Sequence, residues 1–406
     1  MGTSSPAGAA GRVLLGLGAT VDVEIAWDAD VVAALAQELG ILAEELDRAS
    51  PITDERSLLV ALLAALRSGR GDERFAESPD VVRSFAARFR ARVTLGGTAV
   101  RAAIVMSLLG VPATVHMARI DPTVRRLLPV GTAVLHSGEA EALDPHLIIQ
   151  FPRDTRIRLA DATVVSPSAN RFIVANDPPN RELPLAAELP SAFAAAHIVV
   201  LSTLNAIQDP NTMRARLSEL ERMSADAPAD GIVVWEDAAY HEPDLRAMVA
   251  GRMARIADVY SMNEDELASF IGREVDLLDA ADVADALGQL SSALGARTVV
   301  VHTRYWALAR GGESQRYRTP LRSGIDVAGS RYVRGDALTA ADVVAVRASE
   351  QRGDVLAFAR DLEAIDPSIV CEPGYELRPE RPTTIGLGDA FVGGFAAALA
   401  LGDGAV

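Results

Sequence analysis

The chain has 406 residues, 49% of them hydrophobic, 23% charged and only 5% aromatic, with a formal net charge of −16. That length predicts one large α/β domain with a smaller one beside it. The acidity excludes a general affinity for nucleic acid or anionic membrane, and the few aromatics exclude a base-stacking surface.

In chain order, residues 1–11 are rich in Ala, Gly and Ser and read as a disordered leader without the apolar core of a signal peptide. An apolar run over 12–19, ending in Gly16 and Gly18, predicts a buried strand that enters a loop. Helical spacing follows over 30–47 and 54–67, then a break at Gly69 to Asp72 and a helix over 79–90. Residues 93–99 predict a strand and a glycine turn. A helix runs on to Leu109, is closed by Gly110, and leads to a strand at 113–116. Between 120 and 180 the short alternating segments 132–136, 146–150, 156–159 and 163–165 predict an inserted antiparallel sheet.

From about 185, strands at 197–202, 231–235, 257–261 and 297–302 alternate with helices at 210–224, 243–255, 264–271 and 280–294. That rhythm predicts parallel strands with crossover helices. A last apolar helix covers 388–401 and is too short to span a membrane; no stretch of 18 apolar residues occurs. The single Cys371 rules out an intramolecular disulfide and a cysteine-based zinc site, and suits a reducing cytoplasm.

Several segments carry chemistry. Gly386-Leu387-Gly388-Asp389 opens the last helix. Glycines expose N–H groups and the helix start adds partial positive charge, so the turn forms an anion hole. Asp389 there is either a helix N-cap or a base that accepts a hydroxyl proton during phosphoryl transfer. Asn263-Glu264-Asp265-Glu266 opens another helix; its acids either favour the helix dipole or, through Asn263 and Glu266, hold hydrated Mg²⁺ near phosphates. Glu236 ends a predicted parallel strand, where ligands bind in open α/β sheets, or lies in a solvated loop. Asp22 follows the first strand and has the capacity to accept two sugar hydroxyls, and Gly96-Gly97-Thr98 to bring backbone N–H groups to the same sugar; both also read as ordinary turns. The six histidines include no metal-ligand pair at helical spacing, and neither a P-loop nor a nucleophile elbow is present.

Taken together the chain resembles the ADP-dependent glucokinase and phosphofructokinase family of the ribokinase superfamily. Gly16 to Asp22 resembles that family's G-x-N-x-x-x-D, and Leu95 to Ala99 its L-G-G-N/Q-A. Gln150-Phe151-Pro152-Arg153 with Asn170 to Asp177 resembles E-F-P-R…N-R-F-I-x-A-x-D. Leu201 to Asn205 resembles L-S-G-L/Y-Q, Val234-Trp235-Glu236 resembles H-x-E, and Ser261 to Glu266 resembles G-M-N-E-x-E. Val301-His302-Thr303 resembles V-H-T and Gly386 to Asp389 resembles G-x-G-D.

The resemblance implies a ribokinase-like three-layer α/β sandwich over 12–406, with a central mostly parallel sheet and a smaller α/β lid built from about 23–90 and 120–180. It implies a cytoplasmic, Mg²⁺-dependent phosphotransferase that binds a nucleotide and a small sugar. It makes Asp389 the base, the backbone of Gly386, Leu387 and Gly388 the anion hole, and Arg171 a phosphate contact. Glu236 and Glu266 organise Mg²⁺ through water. Asp22, Gly96, Gly97 and Thr98 hold the sugar, and Asn263, His302 and Thr303 face the nucleotide. Four departures leave the sugar and the choice of ADP or ATP open. Ala19 or Thr20 stands where the family has Asn, Thr98 replaces Asn or Gln, and Val234 replaces His. The Asp389-Ala390-Phe391-Val392-Gly393-Gly394-Phe395 tail resembles ATP-using ribokinases. An ATP-dependent kinase of a sugar or nucleoside, or a non-catalytic binding homologue, are the alternatives. The sequence does not set the oligomeric state.

Overall fold

A computed structural model describes residues 13–240, 242–380 and 382–402. The leader expected over 1–11 lies outside the described residues. The strands among them, in chain order, are β1 Val13–Gly16, β2 Thr20–Ile25, β3 Asp72–Phe75, β4 Ala91–Gly96, β5 Ala113–Met117, β6 Ala133–His136, β7 His146–Phe151, β8 Arg156–Arg158, β9 Thr163–Val165, β10 Asn170–Ala175, β11 Ile198–Leu201, β12 Ile232–Glu236, β13 Val259–Asn263, β14 Thr298–His302, β15 Trp306–Gly311 and β16 Ile369–Pro373.

Nine of these form one sheet in the order β16-β15-β14-β13-β12-β11-β1-β5-β6. It is parallel from β6 to β14, and β15 runs against both of its neighbours. All residues of β1, β11, β12 and β14 are buried, which explains why they read as unbroken apolar runs rather than as alternation. Val199, Leu201, Val233 and Trp235 face one apolar core, while Ile198, Val200, Ile232 and Val234 face another, so the sheet is the middle of three layers.

Five strands form a second sheet, β3-β10-β7-β2-β4. Its residues alternate between two faces. Ile25, Leu147, Ile149, Phe151, Phe172 and Val174 pack on helices Ala29–Glu38, Glu55–Ser68 and Pro79–Ala86 in a third core. The register sets Asp22 beside Thr94 and His146, Glu24 beside Arg92, and Gln150 beside Arg171, which places these polar side chains on the opposite face. Gln150 accepts from Thr384 at 3.3 Å, and Arg92 pairs with Asp336 at 2.8 Å. That polar face therefore lies over the loops of the large sheet.

Three readings change. The expected loop after β1 becomes β2 within three residues, because Thr20, Asp22 and Glu24 alternate with Val21, Val23 and Ile25. The segment around 132–136 is not part of an antiparallel insertion; β6 adds in parallel to β5 at the edge of the large sheet. The helix expected over 30–47 stops at Glu38, where Gly40 takes a left-handed φ of 61° and Ile41 N–H closes back on Ala36 O. Among the described residues no helix is long and apolar enough to cross a membrane.

Candidate active site

The carboxyl ends of the parallel strands converge at one edge. Gly16, Glu236, Asn263 and His302 are each the last residue of their strand. This is the edge at which open α/β sheets bind ligands.

Helix Leu387–Leu401 begins there. Its N-cap is Gly386, at φ 65° in the left-handed region, and no side chain caps the first turn. Its first N–H groups are thus left for a ligand or water. Asp389 is not the N-cap; it lies inside the first turn, and its side chain is 24% exposed. Thr98 donates its hydroxyl to Asp389 Oδ1 at 2.8 Å, and Arg101 Nε lies 3.6 Å from Oδ2. Thr98 and Arg101 stand one turn apart on helix Thr98–Leu108, whose N-cap Gly97 has φ 84°. A Cβ on Gly97 would lie 3.1 Å from Gly18 O, so glycine is what lets the two loops touch.

Arg101 is buried and forms the hub of the site. Its Nη2 donates to Asp22 Oδ2 at 2.9 Å and lies 3.6 Å from Glu24 Oε1. Burial disfavours its charge, but Asp22 and Asp389 outweigh that and raise its pKa. Asp22 also accepts from Thr20 at 2.6 Å, and its carboxylate presses on Gly96, where a Cβ would collide with it. Glu24 accepts from Arg92 and Thr94. On the far side of the glycine turn, Arg331 donates to Ile385 O at 2.7 Å and pairs with Asp336 at 2.8 Å. A Cβ on Gly386 would meet both Arg101 and Arg331, at 2.9 and 3.1 Å. Two buried guanidiniums therefore flank the turn, each paired with carboxylates.

A second group sits at the ends of β12, β13 and β14. His302 Nε2 meets Glu236 Oε1 at 2.8 Å, and its ring stacks on Phe391 at 4.6 Å. Burial works against an imidazolium at His302, and Glu236 outweighs it, so the pKa is raised. A Cβ on Gly388 would lie 3.4 Å from His302, which ties this group to the glycine turn. Asn263 and Glu266 form a capping box. Asn263 Oδ1 accepts from the N–H of Asp265 and Glu266, and Glu266 Oε2 accepts from Asn263 N–H at 2.7 Å. Burial, then the neighbouring Glu236, push the Glu266 carboxyl well above the usual range. Asp237, deeper still and 3.7 Å from Arg246, is raised to about 6, chiefly by burial.

Of the remaining expected residues, Thr303 and Arg171 make no hydrogen bond to either group among the described residues. Thr303 shapes the β14–β15 hairpin, accepting from the N–H of Tyr305 and Trp306 and donating to Trp306 O. Arg171 is exposed on the small sheet, with its backbone N–H held by Asn170. Val234 is a core residue of β12. His116, pulled down to about 4 by burial, meets Leu17 O through Nδ1 and accepts from Ala186 N–H through Nε2, fixing the loop after β1. The sequence reading missed Arg101, Arg331, Glu24, Arg92 and Asp336. For Arg101 a signal existed: it is the one charge in the apolar run from Ala99 to Leu109.

The Gly393-Gly394 pair has a packing origin. A Cβ at Gly393 would collide with Val105 of helix Thr98–Leu108, and one at Gly394 with Ser323 O of helix Arg318–Arg334. The helix is clamped between two others, which accounts for both glycines.

A sheet of this order, with an uncapped glycine-led helix start and a carboxylate in its first turn under a smaller sheet, defines a ribokinase-like phosphotransferase fold. A family model described as "ADP-specific Phosphofructokinase/Glucokinase conserved region" matches residues 11–321, and the chain belongs to that family of ADP-dependent sugar kinases. Among solved structures, a hypothetical ADP-dependent phosphofructokinase from Pyrococcus horikoshii OT3 superposes with a TM-score of 0.74 at 16% identity, covering 96% of this chain and 98% of that one. An ADP-dependent kinase in complex with fructose-6-phosphate and ADPβS gives 0.73 at 14%, covering 96% and 94%. The apo adenosine kinase of Trypanosoma brucei brucei gives 0.52 at 13%, covering 97% and 93%. A search of curated protein sequences returned no match.

Proposed function

We propose that the protein transfers the terminal phosphoryl group of ADP to a hydroxyl of a sugar or sugar phosphate, of the glucose or fructose 6-phosphate type. The observation that carries this reading is Asp389, a partly exposed carboxylate held by Thr98 and Arg101 in the first turn of an uncapped helix. A carboxylate beside an anion hole costs energy unless it has a task. Here it accepts the proton of the attacking hydroxyl, which leaves late in a loose transition state, so an ordinary carboxylate suffices. The N–H groups at Gly386, Leu387 and Gly388 receive the charge that develops on the transferred group.

The acceptor lies between Asp22, Gly96, Gly97 and Thr98. The nucleotide lies towards Asn263, His302 and Thr303, with Arg171 reaching the phosphates from the small sheet. Segments at about 23–90 and 120–180, apart from the β6 stretch that joins the large sheet, supply the lid, whose closure excludes water so that the sugar hydroxyl attacks instead. The solved kinase with fructose-6-phosphate and ADPβS supports this pairing of ligands.

The residues fit a hydrated Mg²⁺. Glu236 Oε2 is buried without a hydrogen-bond partner, and Glu266 is crowded by Glu236. No group of three or more ligating side chains is assembled among the described residues. An ion that keeps most of its waters needs only one or two carboxylates, here Glu236 and Glu266. When bound there it would neutralise phosphate charge.

The test is a turnover and thermal-shift screen of ADP, ATP, AMP and GTP against a panel of sugars and sugar phosphates with Mg²⁺. Product with ADP and a hexose or hexose phosphate supports the reading. Ligand binding with no product from any donor overturns it.

A further inference from the structure

We infer that Arg101 is the positioning residue of the base, and that it ties Asp389 to the small sheet through a ring of alternating charges. The inference rests on the kinase reading above. Arg101 Nε faces Asp389 Oδ2 at 3.6 Å while Nη2 holds Asp22 at 2.9 Å and lies 3.6 Å from Glu24. Glu24 Oε2 accepts from Arg92 Nε at 3.0 Å, and Arg92 Nη1 reaches Asp336 at 2.8 Å. Asp336 pairs with Arg331 at 2.8 Å, and Arg331 donates to Ile385 O at 2.7 Å. The ring thus starts at Asp389, crosses two strands of the small sheet, and returns to the same glycine turn four residues earlier in sequence.

A buried guanidinium is costly unless paired, and removing it alone leaves its carboxylates buried without a partner, so substituting Arg101 costs stability as well. Arg101 is the one charged residue of its helix, and its side chain turns to Asp22, Glu24 and Asp389. What only a guanidinium does here is present separate N–H groups to carboxylates on different elements. A lysine ammonium is a single point charge and satisfies one side or the other. Thr98 holds Oδ1 by a hydrogen bond and Arg101 lies at ion-pair distance from Oδ2, so both oxygens of the base are addressed from one helix. Arg101 itself is buried, and its effect passes through the carboxylates that it holds, Asp389 and Asp22.

The experiment compares Arg101→Met and Arg101→Lys with the native chain. It measures kcat and acceptor KM per molecule competent to bind ADP, ADP affinity by calorimetry, and thermal midpoint. For Arg101→Met the expected result is a kcat lower by about 100-fold, the scale set by misplacing a reacting group by roughly 1 Å. ADP affinity stays near the native value, and added guanidinium ion partly restores kcat. Arg101→Lys is expected between the two, and it decides the matter if the methionine variant does not fold. If kcat per competent molecule stays native-like in the folded variants and only the thermal midpoint falls, Arg101 is a structural ion pair and the inference is overturned alone. If the native chain itself yields no product with any donor, the kinase reading falls and takes this inference with it.

Discussion

Thr98 donates its hydroxyl to Asp389 at 2.8 Å across 291 positions of sequence, joining the start of one helix to the start of another. Family members carry Asn or Gln at the Thr98 position, so this contact belongs to the departures and not to the shared pattern. A hydroxyl that orients the base should matter to turnover more than to folding. Thr98→Val keeps the shape and removes the donor. We expect kcat to fall by about 10-fold, from one lost hydrogen bond to a charged group, with the thermal midpoint little changed. Thr98→Ser should keep native kcat. Equal losses in both variants would mean that the methyl packing, and not the hydroxyl, is what counts.

Asp389→Ala should leave ADP binding intact, because removing a carboxylate beside the anion hole takes away a like charge. Turnover should drop by about 10²–10⁴, the usual contribution of a positioned acid or base. Calorimetry with ADP and a single-turnover assay separate the two effects. Near-native turnover removes Asp389 from the chemistry.

Chelation should abolish turnover, and added Mg²⁺ should restore it. Glu236→Gln should raise the Mg²⁺ needed for half-maximal rate by about 10–100-fold, the scale of losses at residues that organise a metal site. It should leave acceptor binding unchanged. Full activity of metal-free protein would show that Glu236 and Glu266 have only a structural part.

How far could this be read from the sequence alone? The parallel strands were legible because burial on both faces makes their residues continuously apolar, and the Gly386 turn because helix starts and glycines have fixed meanings. The small sheet was legible only in part: β4 and β7 were read as strands, whereas β2, β3 and β10 were not. Thr20 to Ile25 has six residues directly after a glycine loop, and its polar face of Asp22 and Glu24 looks like solvent-facing loop until Arg101 arrives from a different element to bury it. Asn263 and Glu266 were ambiguous for a physical reason: a capping box and a metal-site edge use the same residues at the same spacing. Pairings such as Arg92 with Asp336, or Arg331 with Ile385, depend on which loops meet and leave no local pattern.

His146 and Asp177 give a pH prediction on the small sheet, beside Asp22. Their side chains meet at 3.0 Å, both largely buried. Burial alone would lower the His146 pKa, but the hydrogen bond and charge of Asp177 outweigh it and raise it from 6.5 to about 9. Asp177 is lowered despite its burial, chiefly through His146. A folded pKa above the unfolded one means that the stabilisation is complete below about pH 6.5 and is lost as pH rises through about 9. The loss should be on the order of 3 kcal/mol. On the acid side, the pair weakens as Asp177 takes up a proton below its ordinary range. Urea denaturation between pH 6 and 10 should therefore show a decline that His146→Gln flattens. An unchanged slope in that variant would place the titration elsewhere.

Thr203 holds strain beside the loop that follows β1. It follows Ser202, whose N–H and hydroxyl both bond Gly16 O, and adopts φ 71°, ψ 19°. The family motif has glycine there, and the reason is visible: the left-handed region is costly for a β-branched residue, by about 1–3 kcal/mol. The Thr203 methyl also crowds Gly18, where a Cβ would come within 2.6 Å of it. Thr203→Gly relieves the backbone but adds about 0.5–1 kcal/mol of unfolded-state entropy to overcome. The strain is the larger quantity, so we expect a net gain of about 1 kcal/mol in urea denaturation. Thr203→Val retains the strain and the bulk, and should bring no gain. Because the loop from Gly16 to Ala19 packs against Thr203, the glycine variant should also change acceptor KM while leaving ADP affinity alone. A loss of stability in Thr203→Gly would mean that the threonine contacts outweigh the strain, and that this chain has adapted its first loop to the larger residue.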